Sequence, residues 1–209
     1  MTAGGDDRIG LRERKKRETR AALSQAAIGL CVERGWNNVT VDDIAATANV
    51  SVRTFGNYFA NKAEAIAARH LDRMLAIADE LRARPASEPL WDAIVIAAQA
   101  QFGPGEQPSG NSVGDDRWRD GLRLMLAEPA LHGEVAKANA AAQDELAAAI
   151  AERTGTDVAR DVYPQLVAAV VGAGSAVAVT RCLSTDPPAP LVPTLREVFE
   201  QIAAGLPAP

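Results

Sequence analysis

The sequence has few of the residues that most often carry chemistry in proteins. Among its 209 residues are two cysteines, Cys31 and Cys182, and two histidines, His70 and His132. No His/Cys/Asp cluster has metal-ligand spacing, and no glycine-rich phosphate loop, serine elbow or Walker pattern occurs. We therefore predict no enzyme activity, no metal and no cofactor. The two cysteines lie far apart within helical patterns, as is typical of small buried hydrophobes in a reducing cytosol.

Aromatic side chains and long apolar runs are also scarce. Aromatic residues make up 4% of the chain, and its alanine- and leucine-rich composition is typical of an all-helical protein. The most apolar segment, 166–179, is shorter than the roughly twenty residues of a membrane-spanning helix. Nothing near the start has the pattern of a secretion signal. We expect an all-α, cytoplasmic protein without a membrane partner.

Charge is divided unevenly along the chain. The net charge is −5, yet residues 1–70 hold eleven basic and eight acidic side chains, whereas residues 71–209 hold eleven and nineteen. Much of the positive charge lies in Arg12–Arg20. This asymmetry predicts a basic module that meets an anion and an acidic module with another task. Taken alone, a run of charge is more typical of a solvated helix face.

The basic part has the periodicity of consecutive helices. It begins with a small, polar segment, residues 1–10, which we expect to be a disordered tail. Helical spacing of apolar residues then predicts a helix from about 14 to 34, ended by a glycine. A capping pattern at Asn61 and Glu64 predicts the start of a long helix that runs to Arg84.

Two short helices joined by a tight turn are predicted between these longer ones. Thr40 and Asp43 have the capping-box pattern at the start of one, and Ser51 caps the other, predicted over 52–58. Asn49 tolerates the left-handed backbone that a tight turn requires. Short helices joined by about three residues are the layout of a helix-turn-helix, and the helix at 52–58 has the place of its recognition helix.

A helical wheel gives this helix two unlike sides. One side is apolar and expected to face the core; it comprises Val52, Phe55 and Phe59. The other carries the residue types that hydrogen-bond to base edges in the DNA major groove, namely Arg53, Thr54 and Asn57. Side chains suited to phosphate contact lie nearby at Thr40, Tyr58 and Lys62. Any one of these residues would fit a merely solvated face, but spacing, caps and face agree.

The segment TVDDIAATANVSVRTFGNYFANKAEAI, with RETRAALSQAAIGLCVERGW before it, resembles the N-terminal DNA-binding domain of the tetracycline-repressor (TetR) family of bacterial regulators. The resemblance spans roughly residues 12–70. It implies a homodimeric, all-helical transcription factor, usually a repressor, that binds a palindromic operator in double-stranded DNA. The DNA-binding set predicted by position is Thr40, Ser51, Val52, Arg53, Thr54, Gly56, Asn57, Tyr58 and Lys62.

Gly56 departs from the family pattern. The family usually has Tyr or Phe here, packed against the DNA backbone or a thymine methyl, and a glycine lacks the side chain for that contact. A glycine inside a helix costs roughly 0.5–1 kcal/mol relative to alanine. Two interpretations stay open: a tolerant surface position, or a missing side chain that lets the helix backbone approach DNA more closely.

The acidic part, residues 63–209, is predicted to be a larger helical domain that follows a DNA-binding domain at 11–62. Helices are predicted at 87–102, 117–127, 129–154 and 164–183 and from Leu191 onward, with a Gly/Pro-rich loop at 103–115. The resemblance implies that this domain binds a small molecule and that its last two helices hold the dimer. The predicted interface is Val170, Gly174, Val177, Leu195, Val198, Phe199 and Ile202. An intramolecular core helix is the alternative for the apolar segment 168–178.

A ligand pocket is predicted from polar residues beside an apolar stripe. His132, Asn139 and Gln143 form an uncharged line on the helix at 129–154, as the few polar groups of a mostly apolar pocket do. Boundary residues between core and solvent would look the same, and that interpretation is favoured. The predicted pocket set is Met74, Phe102, Trp118, Leu122, Met125, His132, Asn139 and Gln143. Its apolar members fit a plain core equally.

These features predict a ligand-responsive transcriptional regulator, most often a repressor, released from its operator by a small apolar or amphipathic ligand. The segments 123–131 and 149–157 resemble a subgroup of these regulators that binds acyl-CoA-like ligands. The alternative function is that of a ligand-independent helical DNA-binding or interaction protein.

Overall fold

The computed structural model describes residues 3–101, 113–187 and 189–207, with the side chains of 11–101, 119–187 and 189–207. Within these residues the chain forms nine α-helices and one short 3-10 turn at Trp36–Asn38. The helices are α1 Ala3–Arg34, α2 Val41–Thr47, α3 Val52–Gly56, α4 Lys62–Ala83, α5 Leu90–Ala100, α6 Val113–Ala127, α7 Pro129–Thr154, α8 Val162–Ser184 and α9 Leu191–Ala203. The predicted all-α class is confirmed.

Helix α1 begins earlier than predicted. It starts at Ala3, within the segment 1–10 that was expected to be a disordered tail. The sequence permits this because no proline interrupts the helix. Gly35 ends the helix as predicted, with a φ of 80° that glycine adopts readily.

Two compact units divide the chain. The first comprises Met1–His70 and Asp120–Val135, and the second comprises Leu71–Arg119 and Ala136–Pro209. This division differs from the predicted boundary between residues 62 and 63. The reason is that α4, α6 and α7 each contribute residues to both units.

The core of the first unit joins α1–α4 to the returning segment. Leu23, Ile44 and Phe55 are almost completely buried, and Leu131 from α7 is fully buried in the same cluster. The segment fits closely, because a Cβ on Gly121 would lie 3.2 Å from the Ile28 side chain. This core fixes the orientation of the short helices.

Local capping sets the two short helices. Thr40 and Asp43 form the predicted capping box at the start of α2, and Ser51 caps α3. Asn49 has a φ of 55°, in the predicted left-handed region. Helix α3 ends at Gly56, two residues before the predicted end, because glycine has a low helix propensity.

The second unit is built around α8 and α9. These helices pack on each other, and α5 packs on α9. Phe199 and Leu195 of α9 lie in the centre of this core, together with Ile150 of α7. Cys182 is buried here, as Cys31 is in the first unit, and neither forms a disulfide. Burial raises the pKa of the Cys31 thiol.

The predicted helices of the acidic part are close to the observed ones. The bounds of α7 are as predicted, whereas α6 begins at Val113, before the predicted 117. Most of the loop predicted at 103–115 lies outside the described residues. Helix α8 extends beyond its apolar run to 23 residues, which by length and composition alone would suffice to cross a membrane. One side of this helix packs on α9 in the core of the second unit.

Candidate DNA-binding surface

The exposed side of α3 carries the polar residues that the sequence singled out. Arg53 and Asn57 are exposed, and Thr54 is half-buried. On the opposite side Phe55 is 2% exposed, and its ring centroid lies 5.8 Å from that of Phe59. Packing of Phe55 in the core therefore fixes the side of α3 that faces solvent.

Ser51 and Thr54 bind each other at the start of α3. Ser51 Oγ accepts a hydrogen bond from the Thr54 N–H at 3.0 Å, and the two hydroxyl oxygens lie 2.8 Å apart. The hydroxyl groups of Ser51 and Thr54 are therefore used in the N-terminal cap of α3. Arg53 is the charged side chain of α3.

Val52 lies on the surface and not in the core, contrary to the helical-wheel prediction. It is 46% exposed, whereas Phe55 and Phe59 are buried. The reason is its position as the first residue of a five-residue helix, where no preceding turn extends the apolar side. Its methyl groups are exposed beside Arg53, where apolar atoms can contact a thymine methyl.

Gly56 leaves an open space on the same surface. It is the last residue of α3, and a Cβ built there would have no heavy atom within 4 Å. Its backbone is helical, so an L-residue would fit without strain. Nothing in the free chain sterically requires glycine at this position.

Thr40 is engaged within the first unit. Its hydroxyl donates to Asp43 Oδ2 at 2.5 Å and accepts from the Asp43 N–H at 3.2 Å. The Thr40 N–H donates to the same carboxylate at 2.8 Å. These hydrogen bonds lower the pKa of Asp43, and the nearby Arg34 lowers it further. The structure thus gives Thr40 a capping role, while its phosphate contact stays a prediction.

Lys62 is also engaged within the unit, which the sequence pattern did not indicate. Its ammonium donates to the carbonyls of Trp36 at 2.6 Å and Val39 at 2.8 Å. It also lies 4.1 Å from the Trp36 ring centroid, in a cation–π contact. Two of its three N–H donors are therefore used, and its phosphate contact stays a prediction. Tyr58 is half-buried, with its ring 6.5 Å from that of Phe59.

Arg20 was absent from the predicted set but lies next to this region. Its guanidinium carbon is 5.4 Å from the centroid of the Phe59 ring. The sequence could have identified Arg20 by helical spacing, because Leu23 and Ala27 follow it at i+3 and i+7 and lie on the buried side of α1.

The predicted pocket residues are divided between the two units. Those in the first unit are Leu122, Met125 and His132; those in the second are Met74, Asn139 and Gln143. The side chains of Phe102 and Trp118 lie outside the described residues. Met125 and Met74 each pack against the core of their own unit, and Leu122 is buried.

The uncharged polar line on α7 is exposed. His132, Asn139 and Gln143 all have exposed side chains, and His132 Nε2 lies 3.1 Å from the Leu126 carbonyl oxygen. This exposure agrees with the favoured interpretation of the three residues as boundary positions.

Three of the predicted dimer residues are instead buried inside one chain. Gly174, Leu195 and Phe199 lie in the core of the second unit, where α8 packs on α9. Val198 and Ile202 are partly buried against the same core. The prediction was wrong for the buried three because an apolar side looks the same in sequence whether it packs within or between chains.

A different side of α8 is apolar and exposed. Leu166 and Val177 are 56% and 57% exposed, with Val170 and Ala173 between them at helical spacing. We call these four residues the α8 stripe. Of the predicted dimer residues, Val170 and Val177 belong to it. Only 33% of the most apolar window of α8 is buried within this chain.

Two family models match the chain. Residues 23–68 match bacterial regulatory proteins of the tetR family, and residues 88–207 match the MftR C-terminal domain. The chain is 32% identical over 161 residues to the HTH-type transcriptional regulator TcmR of Streptomyces glaucescens, covering 77% of this chain and 71% of TcmR. It is 27% identical over 205 residues to a Mycobacterium tuberculosis protein named as the mycofactocin biosynthesis regulator MftR, covering 96% of each.

The fold is also similar to that of a solved regulator. Thermus thermophilus FadR, described as a TetR family transcriptional repressor in complex with lauroyl-CoA, has a TM-score of 0.57 at 19% identity. The likeness covers 91% of this chain and 96% of FadR. The C-terminal family match spans more than half of this chain, and the N-terminal match contains the helix-turn-helix. The chain belongs to the tetR family of bacterial regulatory proteins and is a transcriptional regulator, not an enzyme.

Proposed function

We propose that this regulator is a cytoplasmic repressor that binds a palindromic operator as a homodimer and is released by a small apolar or amphipathic ligand. The observation that carries the proposal is the exposed side of α3, where Arg53 and Asn57 stand on a helix fixed by buried Phe55. The arginine fork matches guanine in the major groove, and the asparagine amide matches adenine. Val52 and Gly56 complete this surface with methyl groups and an open space.

Phosphate contacts hold α3 in register within this proposal. Lys62 keeps one N–H donor beyond those bound to Trp36 and Val39, and it serves a phosphate without breaking either bond. Thr40 serves a phosphate only by exchanging its present donation to Asp43. Lys62 therefore carries more of this contact than Thr40.

The α8 stripe is the surface by which two copies associate in this proposal. Exposed Leu166 and Val177, with half-buried Val170 between them, form an apolar strip on a helix whose other side is already packed on α9. Burying such a strip against its counterpart removes apolar area from water, at roughly 25 cal/mol per Å². A dimer also has two α3 helices, one for each half-site of a palindrome.

An amphipathic ligand of the acyl-CoA type is the proposed effector. FadR, which shares the fold, was solved with lauroyl-CoA, and this supports the choice of probe. The second unit, with partly buried Met74 against its core, provides apolar surroundings suited to an acyl chain. His132, Asn139 and Gln143 are exposed and contribute less than the apolar members.

The DNA part is tested by selecting operators from random duplexes with the purified protein. We expect enrichment of a palindrome whose half-sites lie about one helical turn apart. Arg53→Ala should weaken that operator by about 1–3 kcal/mol and relax preference at one position in each half-site. Arg160→Ala is the matched control, because this arginine lies in the second unit with its side chain 85% exposed. Failure to enrich any sequence would refute operator recognition.

The effector part is tested by titrating lauroyl-CoA into the protein–operator complex. Release of DNA with saturation at a defined stoichiometry is expected, with coenzyme A alone as the control. Unchanged DNA binding together with an unchanged melting temperature would rule out this ligand class.

A further inference from the structure

We propose that the basic segment of α1 from Arg12 to Arg20 forms a second DNA-contacting surface, which binds backbone phosphates flanking the half-site read by α3. The proposal rests on the proposed operator binding and adds the partner of the basic segment, which α3 leaves unexplained. The surface comprises Arg12, Lys16, Arg17 and Arg20, and we call it the α1 basic face.

Helical geometry places these four side chains on one side of α1. At about 100° per residue, Lys16 and Arg17 fall within roughly 60° of Arg20, and Arg12 falls about 80° away. The same side continues into the core at Leu23 and Ala27, both fully buried. The α1 basic face therefore lies on the same side of α1 as the buried residues, in the part of the helix that precedes the core.

Arg20 anchors this face beside the recognition region. Its guanidinium carbon lies 5.4 Å from the Phe59 ring centroid, and Phe59 follows exposed Asn57 by two residues. Lys16 and Arg12 lie one and two turns further toward the start of α1, about 6 and 12 Å along its axis. Both are exposed, as is Arg17. Positive charge thus extends outward from the part of the first unit that holds α3.

The charge on this face suits a polyanion. Its four basic side chains share the side with one acid, Glu13, which leaves a local excess of three positive charges. The ion pair described in this stretch joins Arg14 to Glu18, at 3.5 Å on the opposite side. DNA offers one phosphate charge about every 3.4 Å along each strand, so a 12 Å row of cations spans several phosphates.

A lipid surface fits this segment less well than DNA does. Helices that lie in a membrane interface need a broad apolar side opposite their charges. The side opposite the α1 basic face carries Leu11 together with Arg14, Lys15 and Glu18. Such a side offers almost no apolar area for insertion.

The test compares two double variants with the same change in charge. Arg12→Gln/Lys16→Gln removes two cations from the α1 basic face, and Arg14→Gln/Lys15→Gln removes two from the opposite side. Each is assayed for salt dependence of binding to the selected operator, with and without about ten flanking base pairs, one helical turn, on each side. Circular dichroism verifies that both variants keep their helical content.

For Arg12→Gln/Lys16→Gln we expect the salt slope on the flanked duplex to fall by about three to four per dimer, since each lost phosphate contact removes about 0.9. On the trimmed duplex, which lacks the flanking base pairs, Arg12→Gln/Lys16→Gln should bind like the wild type. The control variant, Arg14→Gln/Lys15→Gln, should have the salt slope of the wild type on both duplexes. Equal slopes for the two variants on the flanked duplex would overturn the proposal. Wild-type binding to the trimmed operator tests operator recognition separately, so failure of one proposal is distinguishable from failure of the other.

Discussion

The Lys62 ammonium lies 4.1 Å from the centroid of the Trp36 ring and 2.6 Å from the Trp36 carbonyl oxygen. Lys62 is the first residue of α4, whereas Trp36 belongs to the 3-10 turn that follows α1. Helices α2 and α3 both lie between them in the sequence. The contact therefore ties together the two ends of the helix-turn-helix.

Lys62→Met is predicted to lower the free energy of unfolding by about 1–3 kcal/mol, because it removes two charge-assisted hydrogen bonds and a cation–π contact. Chemical unfolding followed by circular dichroism measures the change. Lys15→Met, at an exposed position on α1, is the control and should leave stability unchanged. If Lys62 served only a phosphate, its variant would keep full stability and lose only DNA affinity.

The stability of the first unit should depend on pH through the carboxyl of Asp43. Hydrogen bonds from Thr40 lower the pKa of Asp43 in the folded chain. A carboxyl with a depressed folded pKa binds fewer protons when folded than when unfolded. Its contribution to stability is therefore present above about pH 4 and is lost as the pH falls through the folded pKa. The stability difference between wild type and Asp43→Asn should shrink on acidification from about pH 6 to about pH 3. A difference that stayed constant over that range would show that ionisation of Asp43 does not matter.

Local chemistry made the helix-turn-helix predictable. The caps at Thr40, Ser51 and Asn61 depend on side chains and backbone groups within a few residues, and all three occur as predicted. The left-handed turn at Asn49 and the bounds of α7 depend on similarly short-range rules. Arg53 and Asn57 could be placed outward because Phe55 marks the buried side.

Contacts between distant parts of the chain were beyond such rules. The hydrogen bond from Lys62 to the Trp36 carbonyl spans 26 residues, and no local pattern specifies it. Likewise, Asp120–Val135 returns to the first unit from far along the sequence. Periodicity also does not identify the partner of an apolar side, which is why Leu195 and Phe199 were assigned to a second chain and proved to be core.

Two glycines of α8 should respond oppositely to alanine. A Cβ at Gly174 would lie 2.9 Å from Ile202 Cδ1 and 3.1 Å from Phe199 Cε1, whereas one at Gly172 would have open space. Gly172→Ala should raise stability by roughly 0.5–1 kcal/mol through helix propensity alone. Gly174→Ala should lower it by about 1–2 kcal/mol, since the side chains of Ile202 and buried Phe199 must move to relieve the overlap. Chemical unfolding at matched protein concentration compares them, and stabilisation by both would mean that the α8–α9 contact is looser than described.

The α8 stripe should control dimer formation. Val177→Asp places a carboxylate on a residue that is 57% exposed in the single chain, so the monomer fold should survive. Within a dimer the same charge would be buried without a partner, which is strongly disfavoured. Sedimentation should show a folded monomer with greatly reduced operator affinity. Leu126→Asp, at a 55% exposed leucine of the first unit, is the matched control and should stay dimeric.

Ile202→Arg tests whether Ile202 belongs to the core of the second unit or to a dimer interface. Ile202 packs against the core that contains Phe199, so a charge there should lower the melting temperature and reduce helical content. A variant that kept its fold but became monomeric would show that α9 takes part in the dimer interface.

Gly56→Ala should reveal whether the glycine of α3 serves DNA recognition. In the free chain the added methyl meets no atom within 4 Å, and alanine favours the helix by roughly 0.5–1 kcal/mol, so the melting temperature should rise. If the open space lets the helix backbone approach DNA closely, the same methyl must weaken operator binding. The two effects would then have opposite signs.

Gly56→Phe should shift sequence preference further, since a ring beside Arg53 and Asn57 changes how deeply their side chains reach into the groove. Thermal unfolding and operator titration on the same preparations measure both effects. An alanine variant that is more stable and binds with unchanged affinity and preference would show that Gly56 is only a tolerated surface residue.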